Sequence, residues 1–198
     1  MIKATQRFVA LRTLLVGIVV ILSLKSGTAY AIENPKSAFI ADLLGQIDRV
    51  KGQITALENA VPQDKVTWRP GEGVRSISEV YLHIAGSNYF LLSFAGCKPP
   101  ANSRIDEKST TDKAKIAEAL KTSFEWTKSE ISKFSDADLE KKVDFFGQKS
   151  TIRNVLFTTL SHLHEHLGQS IAYARTNGVI PPWTEEQQAA LKKSMDKK

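Results

Sequence analysis

The chain has 198 residues, a formal net charge of +6 and a single cysteine. This length suits one domain with additional segments, and a single cysteine excludes an intrachain disulfide. Lysine and arginine residues form no continuous stripe along one face, so the positive charge gives no argument for a nucleic-acid partner.

The first residues have the pattern of an export signal, in which a positively charged start precedes a short apolar run. The apolar run covers 14–22, and Ala29 and Ala31 supply the small residues of an Ala-x-Ala cleavage site. A membrane span needs about 20 apolar residues, more than this run provides. We therefore expect a signal peptide over 1–31 and a periplasmic or secreted domain over 32–198, with no stable membrane anchor after cleavage. Cleavage lowers the net charge to +2, because the removed segment holds four basic residues and no acidic one.

Four segments carry apolar residues at the three- and four-residue spacing of an α-helix. They cover residues 37–60, 76–95, 112–134 and 150–177. The second begins with a capping box from Ser76 to Glu79, and the fourth ends at Asn177 and Gly178, a natural helix stop. No long segment alternates with a period of two. The sequence therefore predicts an all-α fold, a four-helix bundle.

The connecting segments carry weaker signals. Residues 68–73 contain Pro and Gly and predict an irregular linker. Residues 143–147 look extended, and a last short helix is predicted to be capped from Thr184.

Three of the four histidines fall within five residues of the fourth predicted helix. His162 and His166 are four residues apart, so their side chains share a face and can bind one ion. His164 is rotated about 200° from His162, so it is expected to be exposed. The remaining histidine, His83, lies midway along the second predicted helix. Each of these features alone is more common in proteins without a metal.

The surrounding residues resemble the DinB/YfiT-like family of metal-binding helical bundles. The resemblance rests on two stretches and covers nearly all of the mature chain. The stretches are Trp68-Arg69-Pro70 with Ser76-Ile77-Ser78-Glu79 and His83-Ile84-Ala85, and His166-Leu167-Gly168-Gln169 with Tyr173-Ala174-Arg175 and Gly178-Val179-Ile180-Pro181-Pro182. The resemblance implies His83, His162 and His166 as ligands of a divalent ion, for which zinc or nickel suits imidazole nitrogen.

Three neighbouring residues are candidates to orient these histidines. Glu79 lies one helical turn before His83, and Gln169 and Tyr173 share the face of His162 and His166. Glu79 also has a capping role that explains its presence, and core packing explains the other two equally well.

Three functions are consistent with such a site. The resemblance implies a metal-dependent thiol transferase acting on a small molecule, in which the ion lowers the pKa of a bound thiol. A metal-dependent hydrolase is the second, although no carboxylate is clearly placed as its general base. A non-enzymatic bundle that binds metal or a partner, including a second copy as a homodimer, is the third. Export weakens the first of these, because reduced thiols are scarcer in oxidising compartments.

Overall fold

The computed structural model describes residues 37–196, with six α-helices and one β-hairpin in that range. The predicted signal peptide lies outside the described residues. The helices are α1 (Ala38–Ala60), α2 (Ile77–Ser93), α3 (Lys113–Ser132), α4 (Asp136–Leu139), α5 (Ile152–Thr176) and α6 (Pro182–Met195). The strands are β1 (Lys142–Phe145) and β2 (Gln148–Thr151). All four long predicted segments are confirmed as helices, within a few residues of the expected ends.

The four long helices bury the apolar stripes that predicted them. α1 and α2 each pack against both α3 and α5, so α1 and α2 occupy opposite corners of the bundle. Leucine, isoleucine and aromatic side chains from all four helices form the core, among them Ile47, Ile84, Phe124 and Leu163. Burial of these stripes stabilises the fold by about 25 cal/mol for each Å² of apolar surface removed from water.

Side-chain caps set where the helices begin. Ser76 accepts a hydrogen bond from the Glu79 amide, and the Glu79 carboxylate accepts one from the Ser76 amide, which confirms the predicted capping box of α2. Thr151 caps α5 by accepting from the Asn154 amide. The N-cap of α6 is Pro181, three residues before the predicted cap Thr184. The helix begins at Pro182 because proline lacks an amide hydrogen and suits the first turn of a helix.

A β-hairpin adds two short strands to the predicted helical bundle, and β1 lies where the sequence looks extended. β1 and β2 pair antiparallel with Phe145 opposite Gln148, and Phe146 and Gly147 form the turn with φ angles of +54° and +78°. Two-residue turns with both φ angles positive are usually signalled by Asn-Gly or Asp-Gly. A phenylalanine in the first position hides that signal, and strands of four residues are too short to show a period of two.

Within residues 37–196, no helix is both long enough and apolar enough to cross a bilayer.

Candidate metal centre

Three imidazoles meet at the seam where α2 packs against α5. His83 comes from the middle of α2, and His162 and His166 come from successive turns of α5. One nitrogen from each ring lies within 4.8 Å of the others. The ring centroids of His162 and His166 are 4.4 Å apart, and that of His83 is 4.6 Å from His166. Packing of α2 on α5 therefore adds the third imidazole to the i, i+4 pair.

The spacing of the nitrogens fits a single ion. Imidazole nitrogens that bind zinc at about 2.0–2.1 Å in tetrahedral geometry lie roughly 3.4 Å apart. The Nε2 atoms of His83 and His162 are 3.1 Å apart. The third nitrogen lies within 4.8 Å of these two, so side-chain rotation without a change in the helices would bring all three to one ion.

The tautomer of His83 is set by a hydrogen bond to a carboxylate that the sequence did not predict. Its Nδ1 lies 2.7 Å from Oε1 of Glu107, a residue in the loop between α2 and α3. An ionised carboxylate only accepts hydrogen bonds, so Nδ1 of His83 carries the proton and donates it. In the neutral ring, the lone pair is then on Nε2, which faces the other histidines. A histidine ligand held by a carboxylate in this way is typical of metal sites.

Glu107 is itself fixed by an arginine. Arg75 donates from Nε to Oε2 at 2.6 Å and from a terminal nitrogen to Oε1 at 3.0 Å. Partial burial alone would raise the pKa of Glu107, but the hydrogen bonds from Arg75 and His83, together with their charges, lower it below its ordinary value. The carboxylate therefore stays ionised at neutral pH and keeps accepting from His83.

A second hydrogen-bond chain orients His166. Its Nδ1 lies 2.8 Å from Oε1 of Gln169, whose amide nitrogen donates to the Tyr173 hydroxyl at 2.9 Å. Because the amide oxygen accepts, His166 carries its proton on Nδ1 and has its lone pair on Nε2. The Tyr173 ring meets the edge of Trp68 at 5.3 Å between centroids. The linker before α2 thus supports the α5 side of the centre.

Burial favours the neutral imidazoles of His162 and His83, which is the state that binds a metal. It lowers the pKa of His162 to about 4, and repulsion from the positive charges of His166, His83 and Arg75 acts in the same direction. Burial is also the largest influence on His83, whose pKa lies below its ordinary value although Glu107 opposes the shift.

Glu79 and His164 have contacts outside the three-histidine centre. Glu79 bonds to the Ser76 amide and to Arg69 at 3.0 Å, so its carboxylate serves the cap and the linker. The carboxylate that contacts His83 is instead Glu107. The loop around Glu107 has no periodic pattern that would have linked it to α2. His164 is exposed, as predicted, with its Nδ1 3.0 Å from the Leu160 carbonyl oxygen.

The single cysteine, Cys97, is buried beside Glu130 and Lys133 rather than at the three-histidine centre. Burial raises the pKa of its thiol to about 12, so the thiol is protonated at neutral pH.

Comparison with known proteins agrees with this architecture. No curated protein matches the chain. A crystal structure of a DinB-like protein from Bacillus cereus superposes with a TM-score of 0.64 at 21% identity, over 72% of this chain and 95% of that one. A DinB-like protein from Bacillus subtilis superposes with a TM-score of 0.58 at 21% identity, over 69% and 92% of the two chains. At these identities the likeness concerns the fold. The sequence model of the DinB superfamily matches residues 46–170, which include all three histidines of the centre, and the chain therefore belongs to the DinB superfamily.

Proposed function

We propose that this protein binds one divalent ion, zinc or nickel, through Nε2 of His83, His162 and His166. The observation that carries the proposal is the match between lone pairs and spacing. Glu107 holds the proton of His83 on Nδ1, so the Nε2 lone pair of His83 faces Nε2 of His162 at 3.1 Å. At this distance the two nitrogens need a proton or a cation between them, and a divalent ion would take the place of the proton.

We further propose that the protein is an exported, metal-dependent thiol transferase acting on a small molecule. Three protein ligands leave one position for an exogenous group, as in catalytic zinc sites. An ion at this centre would supply Lewis acidity that lowers the pKa of a small thiol. Glu107 and Gln169 orient two of the imidazoles and hold their Nδ1 protons.

The carboxylate nearest the centre favours transfer over hydrolysis. A hydrolase needs a general base that is free to take a proton from water. Glu107 is held on both oxygens by Arg75 and His83, and its pKa is lowered. Its geometry suits orientation of His83 rather than proton transfer.

Metal analysis and thiol binding test the proposal in sequence. The purified protein should bind about one zinc or nickel ion per chain, with His164→Ala equal to the wild type. The cobalt-loaded protein should then change its visible absorption when N-acetylcysteine is added. A protein without metal capacity would refute the centre. A loaded protein that ignores the thiol but cleaves simple esters would instead support a hydrolase.

A further inference from the structure

A cavity of about 550 Å³ lies between α2 and the loop that leads to α3. This volume is in the range that small-molecule sites occupy. One part of its wall is apolar and is formed by Leu82, Tyr89, Phe90, Pro99 and Ile105. Burial of an apolar group against such a wall is favourable, so the cavity suits a ligand with an aromatic or acyl body.

The cavity reaches the three-histidine centre. His83, Ser87 and Glu107 line it, and the Ser87 hydroxyl oxygen lies 3.4 Å from Nε2 of His83. That nitrogen is the atom directed towards His162. A ligand in the cavity therefore has one end beside the atoms that would hold the metal.

The charges of the cavity favour an anion. The negative charge of Glu107 is compensated by Arg75, which donates to both of its oxygens. Arg104 also lines the cavity, and among the side chains that the structure describes no ion pair involves its guanidinium. A guanidinium binds a carboxylate through two parallel hydrogen bonds.

The apolar wall continues onto the surface through Phe90. This side chain is 53% exposed, and its ring lies 5.2 Å from that of Phe94 and 5.9 Å from that of Phe146 between centroids. Phe146 is 59% exposed at the hairpin turn, where its positive φ is rare for a bulky residue. An exposed aromatic residue in a strained position is a feature that often accompanies function.

We infer that this cavity binds an amphipathic organic anion, an aryl or medium-chain acyl carboxylate, as the small-molecule substrate. Its carboxylate pairs with Arg104, and its apolar body lies against Phe90 and Ile105. The position of its other end beside His83 rests on the proposed metal centre, whereas the pairing with Arg104 does not.

Calorimetric titration with octanoate and with the neutral octanamide tests this inference. Wild-type protein, with or without zinc, should bind octanoate more tightly than octanamide. Arg104→Gln should weaken octanoate binding roughly tenfold and leave octanamide unchanged. Arg104→Lys should recover part of the affinity, since it restores the charge but not the two parallel hydrogen bonds. Arg49→Gln, on the exposed face of α1, is the matched control and should behave as the wild type.

Phe90→Ala should weaken both probes alike, because it removes apolar contact and no charge. Equal octanoate binding by Arg104→Gln and Arg49→Gln would overturn the inference, as would a wild type that binds neither probe. Octanoate binding that requires zinc and ignores Arg104 would also overturn it, because the carboxylate would then be a metal ligand. Zinc stoichiometry, measured separately on each variant, distinguishes these results from failure of the metal centre.

Discussion

Two regions of this bundle bury a carboxylate at least in part, and the pKa of that carboxylate shifts in opposite directions in the two places. At the α2–α5 seam, Glu107 accepts from Arg75 and His83, and its pKa is lowered. Near the end of α1, Glu58 is almost fully buried, and its Oε2 has no hydrogen-bond partner among the described residues. Burial raises the pKa of Glu58, although the charge of Lys113 opposes the shift. Burial alone destabilises the charged form, and placed partners reverse that effect.

We therefore expect the hydrogen-bonded groups of the seam to contribute together to metal binding, whereas Glu58 affects only the stability of the fold. If so, changes at the seam should alter metal binding, and changes at Glu58 should alter only the pH dependence of folding.

The largest effect is expected for the histidines. Changing His83, His162 or His166 singly to Ala should weaken zinc binding about a hundredfold to a thousandfold, since one ligand carries roughly a quarter of the ~10–16 kcal/mol of a structural zinc site. Competition with a chelator of known affinity measures the change, and His164→Ala is the control on the same helix. An unaltered affinity in His83→Ala would reduce the site to a pair on the surface of α5.

The next effect concerns the metal-free protein in acid. The folded pKa of His162, about 4, lies below its ordinary value of 6.5, so the unfolded chain binds more protons between these values. The stability that His162 contributes is thus complete above about pH 6.5 and is lost as the pH falls towards 4, by at most about 3 kcal/mol. Urea unfolding of chelator-treated protein at several pH values should show this loss, and His162→Ala should show less of it. Identical profiles for the two proteins would contradict the shift.

A smaller effect separates the two carboxylates directly. Glu107→Gln keeps the size of the side chain but removes the charge that holds Arg75 and His83, so zinc affinity should fall about 10- to 100-fold. Glu58→Gln makes the same chemical change away from the centre and should leave zinc affinity unaltered. Isothermal titration of both variants makes the comparison. Equal losses would mean that the change acts through the fold rather than through His83.

The smallest effect is the pH dependence due to Glu58. Its raised folded pKa means that its contribution to stability is complete below about pH 4.5 and is lost as the pH rises through the folded value. Glu58→Gln should remove this part of the profile, and each unit of pKa shift corresponds to about 1.4 kcal/mol. Glu118→Gln, on the exposed side of α3, is the control for loss of a charge. A wild-type profile that matches that of Glu58→Gln would show that the carboxyl of Glu58 titrates normally.

The sequence by itself determined the four long helices and the histidine pair that α5 contributes to the site. Apolar spacing fixed the four long helices, the Ser76–Glu79 box fixed the start of α2, and the four-residue interval placed His162 and His166 on one face. These are local properties, because the period of a helix and the bonds of its first turn depend on residues close in the chain. His83 joined the pair at that stage only through the family resemblance.

Tertiary structure decided the rest. Packing of α2 on α5 brings His83 within 3.1 Å of His162 across 79 residues of chain. The loop between α2 and α3 supplies Glu107, which is the partner of His83 where the sequence had suggested Glu79. The hairpin turn at Phe146 adds to the apolar surface beside Phe90. No sequence period connects these groups, since each contact depends on how separate elements pack, and that packing is fixed by the whole core rather than by neighbours in the chain.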